Sequence, residues 1–455
     1  MIPFDLKTLA KFSQGRFFGE KNTTITSITT DSRKVVKGSL FACIKGGKAD
    51  GHDYIESALE KGAAGIISEK ELPGLAVPYI LTDSTLTALQ NIAREILLKA
   101  GIPVIAVGGS VGKTSTKEMI ASVLSQKFNV LKTQANFNNE LGLPLTIFEL
   151  EKEHTAAVLE LGIDDFGQMH VLAGIAKPDI CVLTNIGDCH LEKLGDRNGV
   201  LKAKTEMFDH MKPGGRAVLN GDDEKLRTVT AVQGKAPLFY GFGEKNELTA
   251  VIKDKDEFGS FIEIDSPIGR IETTVNMPGA HMVMNAMAAA GVGVELGLDA
   301  EMIAAGIEKY RSIDDRFMLN RTDDYIVVDD CYNANPMSMK ASLSALSEMN
   351  GRHVAILGDM GDLADASAKL HYEVGAHLGG LNIEVLCCVG TLCRELGRGA
   401  EEAYAEKQLT GRTVRYYDTK EELIADLPAV LKKDDIILVK ASHFMEFDEI
   451  VKYLK

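Results

Sequence analysis

Although 45% of the chain is hydrophobic, no stretch approaches the roughly 20 consecutive apolar residues of a membrane-spanning helix. The opening MIPFDLKTLAKF has no basic segment leading into an apolar core, so it does not read as a secretory signal, and a cytoplasmic address is the expectation. Cysteine is sparse and unpatterned. The seven, at positions 43, 181, 189, 331, 387, 388 and 393, make no CxxC pair, and an odd count leaves any disulfide framework incomplete. Cys387 and Cys388 fall within the apolar run EVLCCVG, where burial accounts for them without redox or metal chemistry. Positive charge is also in deficit: 50 Lys and Arg against 65 Asp and Glu leave a formal charge of -15. That balance argues against nucleic acid as a partner, since phosphate backbones are held by broad basic surfaces. Anionic ligands must then be held by local devices: a divalent ion, a few Lys or Arg, and helix N-termini. Internal repeats and low-complexity tracts are absent, and 455 residues at about 150 per domain suggest three domains.

The most informative stretch is PVIAVGGSVGKTSTKE, residues 103–118. An apolar strand runs into glycines and then into a helix, which is the geometry of a phosphate cradle. Gly109, Ser110, Val111, Gly112, Lys113, Thr114 and Ser115 are the candidate nucleotide-binding residues. Backbone N–H groups at the helix start point at an anion, the Lys113 ammonium reaches the β and γ phosphates, and the Thr114 hydroxyl can ligate Mg²⁺. Only the short form of the pattern fits, because Val107 occupies the position of its first glycine. Glycine pairs also make ordinary strand-to-helix turns, but Gly-Lys-Thr after an apolar strand is a joint requirement that chance rarely meets.

Along the chain, residues 1–100 mix short strands and helices into a small domain, with Lys99-Ala-Gly-Ile-Pro103 as a candidate linker. Residues 101–311 alternate strand and helix, which predicts a mostly parallel sheet covered by helices, with hairpin-like alternation between Phe239 and Met277. In such sheets ligands collect beyond the carboxyl ends of strands. Two apolar runs end there in polar residues, one at Glu160 and the other at TNIGDCH with His190. Taken with the phosphate loop they form a candidate Mg²⁺ constellation, although His is an unusual ligand for that hard ion. Taken singly, Glu faces water and His fills a core or a surface more often than either binds anything. Residues 312–455 repeat the alternation and predict a second parallel-sheet domain, resembling a dinucleotide-binding fold without GxGxxG after its first strand.

The motifs DSRKVVKGSLFACIKG, GGSVGKTSTKE, NFNNELGLPLT, ELGIDDFGQM, TNIGDCHLEKLG, AKTEMF, DDCYNANPMSM, LGDMGDL with His371 beyond, and LVKAS occur in that order. Together they resemble the Mur ligase family over essentially the whole chain. The resemblance implies an α/β fold of three domains: residues 1–100 binding a UDP-sugar, 101–311 a central ATP-binding domain of P-loop ATPase type, and 312–455 a Rossmann-like domain receiving an incoming dipeptide. YNANP narrows it to the branch whose small-molecule substrates are UDP-N-acetylmuramoyl-tripeptide and D-Ala-D-Ala, joined at the expense of ATP through an acyl phosphate. A carboxylate is a poor electrophile, so phosphorylating it supplies a leaving group, and metal ions offset the repulsion between the two anions.

Residue by residue, the resemblance assigns catalysis to Lys113, Glu160, His190 and Lys204. Thr114 and Glu160 match ligands of the Mg²⁺ carried by ATP, while His190 and a carbamylated Lys204 match those of a second ion. Asn285, Arg316 and Asp330 match contacts to adenine, phosphate and ribose. Ser32 and Arg33 match the uridine-diphosphate side, Asn138 and Asn139 lie in the substrate motif NFNNE, and Tyr332, Asn333 and Asn335 match the dipeptide end. Departures from the family pattern are Met282, Asp315, Cys331, Asp164, Asp362, Ala441 and His443. A monomer without membrane attachment is expected. The competing readings are another amide ligase of the superfamily, of folylpolyglutamate synthase type, and a nucleotide-binding regulatory protein that has lost catalysis.

Overall fold

A computed structural model describes residues 1–47, 49–256, 258–312 and 316–455, so the expected departure at Asp315 lies outside the described residues. The described residues build three main sheets and one small strand pair. In the N-terminal sheet the strands run in the order Arg16–Phe18, Tyr79–Leu81, Gly65–Ser68, Ser39–Ala42 and Ser27–Thr29. Ser84 caps the helix Thr85–Ala100 by accepting the Thr87 N–H, and Gly101 ends it in a left-handed turn. The helix takes in Lys99 and Ala100, the first two residues of the expected linker. Its apolar face, with Leu89, Ile92 and Ile96, joins Leu143, Ile147 and the underside of the central sheet in one continuous core. N-terminal and central regions are therefore fused by burial rather than hinged on a loose segment.

Among the described residues the central sheet has nine strands. Val104–Gly108 lies in the middle, flanked on one side by Ala156–Glu160 and on the other by Ile180–Leu183, all parallel. The chain leaves Val104–Gly108 toward one edge, returns through Ala156–Glu160, and then builds outward on the opposite side from Ile180–Leu183. This reversal opens a crevice at the carboxyl ends of the three strands. The hairpin pattern expected after Phe239 is realised as Leu248–Lys255, Ser260–Ser266 and Gly269–Val275, which pair antiparallel and extend the same sheet. The helix Ala280–Glu295 is buried along most of its length, and its run of Ala and Gly lets it pack closely on the phosphate-loop helix Lys113–Leu124.

The C-terminal sheet orders Met318–Arg321, Tyr325–Asp329, Asp435–Lys440, His353–Gly358, Val385–Val389 and Thr413–Tyr417, parallel except for the first pair. Its carboxyl ends carry Asp330, Lys440 and the 359–363 loop. Among the described residues no helix is long and apolar enough to cross a membrane. All seven cysteines are buried, Cys387 and Cys388 of the EVLCCVG run among them as expected.

Candidate active site

The phosphate loop has the backbone that its glycines foretell. Gly109 has φ +141, and a Cβ there would lie 1.9 Å from Thr184 Oγ1, so no side chain fits. Gly112, at φ +78, turns the chain into the helix Lys113–Leu124. The loop is tied down by the end of the neighbouring strand. Asn185 Oδ1 accepts the Val111 N–H at 2.8 Å, and Asn185 Nδ2 donates to the Val111 carbonyl at 3.0 Å. The Thr184 hydroxyl donates to the same carbonyl at 2.6 Å, and the Asn185 carbonyl accepts the Ser110 N–H at 3.0 Å. One side-chain amide thus bonds both backbone polar groups of Val111.

Two ammonium groups converge on one carbonyl oxygen. Lys113 Nζ lies 2.9 Å and Lys204 Nζ 3.0 Å from the Gly109 oxygen. Burial, reinforced by the Lys113 charge, pulls Lys204 down to about 8, and burial also lowers Lys113. An anion laid along the loop is a better partner for both than a neutral carbonyl.

Glu160 stands at the end of its strand beside the loop. Its Oε1 accepts from Asn138 Nδ2 at 2.8 Å, whereas Oε2 is buried without a hydrogen-bond partner among the described residues. An orphaned buried carboxylate oxygen is costly unless a cation satisfies it. Thr114 is buried in the first helical turn and lines the same cavity. These residues fit Mg²⁺, which takes one or two protein oxygens and fills its shell with phosphate and water oxygens. Among the described residues no group of three or more His, Cys, Asp and Glu is placed to cage a metal. His190 takes a left-handed conformation, φ +52, and burial together with Lys204 and Lys113 lowers its pKa, which favours the neutral imidazole that a metal requires.

A single cavity of about 720 Å³ gathers most of the residues expected from the sequence. Its walls carry Ser110 to Ser115, Asn138, Asn139, Glu160 and His190 from the central sheet. They also carry Asn285 from the Ala-rich helix and Arg316, Asp330, Tyr332, Asn333 and Asn335 from the C-terminal sheet. Leu86, on the last helix of the N-terminal region, closes one side. Gly109 and Lys204 do not line the cavity but meet each other at the base of the loop. Ser32 and Arg33 do not line it either. They lie on the 3-10 turn Ser32–Lys34, where the exposed Arg33 guanidinium forks onto Asp31.

Several assigned side chains also do structural work. Asn335 caps the helix Pro336–Ser347 in a reciprocal capping box with Ser338. Asn139 Oδ1 accepts the N–H groups of Leu141 and Gly142. The Arg316 guanidinium lies 3.9 Å from the Tyr332 ring centroid, which fixes both at the mouth facing the loop. The Cys331 thiol donates to Asp329 Oδ1 at 3.1 Å, Met282 sulfur accepts from Asn285 Nδ2 at 3.5 Å, and His443 lies 5.9 Å from the Tyr332 ring.

Three positioning side chains escaped the sequence reading. Buried Lys440 pairs with Asp330 Oδ2 at 2.7 Å and donates to the Asn333 carbonyl at 3.0 Å, so it holds the YNANP segment in shape. Buried Lys117 donates to the Thr133 carbonyl at 2.6 Å, and Thr133 Oγ1 accepts the Glu160 N–H at 2.9 Å. Asn185 is the third. Each lies inside a motif noticed for another residue, and a lysine in a sequence gives no sign that its ammonium will be buried.

Comparison with known proteins agrees with this geometry. Sequence models of the Mur ligase family, catalytic domain, the Mur ligase middle domain and the Mur ligase, glutamate ligase domain match residues 24–107, 107–293 and 315–443. The chain belongs to the Mur ligase family. This Mur ligase is 35% identical over 463 residues to the UDP-N-acetylmuramoyl-tripeptide--D-alanyl-D-alanine ligase of Bacillus subtilis, covering 100% of this chain and 99% of that one. It superposes on a crystal structure of MurF from Acinetobacter baumannii with a TM-score of 0.91 at 28% identity, covering 100% and 99% of the two chains. It also superposes on MurF ligase from Thermotoga maritima in complex with ADP, with a TM-score of 0.81 at 29% identity, covering 94% and 96%. The α/β architecture is the three-domain one of these ligases, and the protein is an ATP-dependent ligase.

The amide clamp on the phosphate loop of this Mur ligase has a measurable consequence. Asn185→Ala removes two side-chain hydrogen bonds from Val111. At about 0.5–1.5 kcal/mol each, the expected rise in KM for ATP is about 10-fold. The KM for the other two substrates should move far less, and steady-state kinetics with each substrate varied in turn reads the difference.

Proposed function

We infer that this Mur ligase joins D-Ala-D-Ala to UDP-N-acetylmuramoyl-tripeptide with consumption of ATP, a step of peptidoglycan precursor synthesis. The observation that carries the reading is the shared cavity. Lys113 and the orphaned Glu160 oxygen, at the rim of the central sheet, face the YNANP segment of the C-terminal sheet across it. A donor phosphate on one wall and an attacking amine on the other can then meet over one carboxylate.

In this reading the terminal carboxylate of the tripeptide attacks the γ-phosphorus of ATP, ADP leaves, and an acyl phosphate forms. The dipeptide amine adds to the acyl carbon, loses a proton, and expels inorganic phosphate as the amide forms. Lys113 follows the transferred phosphoryl group, trading its carbonyl partners for phosphate oxygens. Arg316 and Asn285 orient the nucleotide from two different domains, with Asp330 toward the ribose. Tyr332, Asn333 and Asn335 guide the dipeptide amine. Asn138 holds Glu160 in place, and Ser32 and Arg33 take the uridine-diphosphate end on the N-terminal sheet. Mg²⁺ would be held by Thr114 and Glu160, and a second ion by His190 and a carbamylated Lys204, neutralising charge between the anions. Carbamylation needs an unprotonated amine, and a Lys204 pulled down to about 8 supplies it near neutral pH.

The test is an assay of ADP and phosphate release in which each substrate is omitted in turn. Release is expected only with ATP, the UDP-linked tripeptide and D-Ala-D-Ala together, abolished by EDTA and restored by excess Mg²⁺. ATP binding without substrate-dependent release would instead support a regulatory nucleotide-binding protein.

A further inference from the structure

The segments that leave the two strand ends at Glu160 and His190 meet again a few residues later, at an ion pair on the cavity rim. Asp164 lines the cavity, and its Oδ2 accepts from the Lys193 ammonium at 2.7 Å. Asp164 is one of this chain's departures from the family pattern. It is also held more firmly than a loose surface carboxylate. Gln168, which lines the same cavity, spends its whole amide on the turn: Nε2 donates to Asp164 Oδ1 at 2.7 Å, and Oε1 accepts the N–H groups of Asp164 at 2.9 Å and Asp165 at 3.3 Å. One carboxylate oxygen is thereby fixed, and the other is presented to a cation.

The cation now seated there is exchangeable. Lys193 comes from outside the cavity wall, and the side chains of Lys193 and Asp164 are 46% and 47% exposed. A pair this exposed is held weakly. Asp165 and Glu192 add negative charge around the same ammonium, so the spot suits a cation and repels an anion. Asp164 and His190 are near enough for each to feel the other's charge.

In the ligase reading, the carboxylate to be phosphorylated lies beside Glu160 and His190. It is the terminal carboxylate of the tripeptide, so the side chain of that same residue branches from the carbon next to it. That side chain runs along the walls nearest the reacting carbon. Among the carboxylates there, Glu160 is assigned to Mg²⁺ and Asp330 is held by buried Lys440, whereas Asp164 carries an ammonium that can be traded for another. A substrate already bound through its nucleotide and its carboxylate delivers its own ammonium at high effective concentration, which lets it displace Lys193.

We propose that Asp164 is a specificity-determining residue for the terminal side chain of the tripeptide: its Oδ2, aimed by Gln168, takes an ammonium carried at the end of that side chain, and Lys193 holds the place until the substrate arrives. The proposal rests on the ligase reading and deepens it by naming the side-chain chemistry that the site selects. A diamino monoacid such as lysine and a diamino diacid such as diaminopimelate both supply the ammonium.

The test is initial-rate kinetics of the full-length protein with three UDP-linked tripeptides ending in lysine, diaminopimelate or norleucine, the last being lysine without its amine. Wild type should use at least one amine-bearing tripeptide with a kcat/KM about 10-fold or more above that of the norleucine one. The preferred amine-bearing tripeptide identifies which of the two sources the site serves. Asp164→Asn should raise KM for that tripeptide about 10-fold and bring it within about 2-fold of the norleucine one, with kcat and the KM for ATP unchanged. Lys193→Met should act in the opposite direction, lowering KM for the amine-bearing tripeptide about 2- to 3-fold and leaving the norleucine one alone. A disturbed rim cannot produce that pair of opposite shifts. Melting midpoints should stay level in both variants, because an exposed pair carries little stability. A wild type that uses norleucine within about 2-fold of both amines, a D164N variant that keeps the preference, or a K193M variant that raises KM for the amine-bearing tripeptide overturns the proposal while the ligase reading stands. Ligation of none of the three by the wild type would overturn the ligase reading and the proposal with it.

Discussion

Lys113→Ala is expected to lower kcat for ligation about 1,000-fold, the upper end of what one preorganised charge contributes to a developing anion. The variant should remain folded. Among the described residues Lys113 Nζ bonds only the backbone carbonyls of Gly109 and Ser110, and Lys204 still occupies the Gly109 oxygen when Lys113 is gone. Removing one of two neighbouring buried cations also relieves their mutual repulsion, so the melting midpoint should stay level or rise. The measurement is amide formation followed by chromatography, with circular dichroism to verify the fold. A variant that joins the peptide at the wild-type rate would mean that the phosphate loop is not where the chemistry happens.

Lys204→Met is expected to separate stability from activity. The Lys204 side chain is buried, donates to the Gly109 carbonyl, and is pulled by burial from an ordinary lysine value to about 8. Methionine fills nearly the same volume without charge, and replacing an ill-solvated buried ion in this way stabilises by about 1–3 kcal/mol. The pH dependence has a definite sign. Between an unfolded value of about 10.4 and the folded value of about 8, the unfolded chain binds a proton that the folded chain refuses, so wild-type stability falls as pH falls through that window. The advantage of methionine should therefore be full below pH 8 and shrink as pH rises above it. Ligation should nonetheless drop at least about 100-fold, because methionine can neither hold charge nor become a carbamate. Denaturant melts at pH 7 and pH 9.5, run beside the ligation assay, read both effects. A methionine variant that is less stable at pH 7 would show that the Lys204 hydrogen bond outweighs its desolvation.

The extent to which the site was legible varies by residue. The phosphate loop could be read outright because its function is local: glycines where φ is positive, a lysine and a threonine at the first helical positions, all within a few bonds. Glu160 and His190 could be placed at strand ends by their apolar runs, yet nothing in those runs said that the two strands flank Val104–Gly108. Lys204 was named only through family likeness, since a lysine in an amphipathic helix reads as solvated. Lys440, Lys117 and Asn185 went unassigned because their partners lie elsewhere in the chain: 107 residues away for Lys440 with Asn333, 74 for Asn185 with Val111 and 16 for Lys117 with Thr133.

The chain alone determined the element types, the phosphate cradle and the kind of anion it suits, because periodicity, glycine placement and helix capping act over a few residues. It also settled the absence of a membrane-length apolar run. Tertiary structure alone decided which strand ends share the crevice, that two lysines compete for the Gly109 oxygen, and that one oxygen of Glu160 is left without a partner among the described residues. The physical reason is that burial and adjacency depend on strand order and domain contact. Both emerge only when the whole apolar surface is satisfied at once, and no short window of sequence carries them.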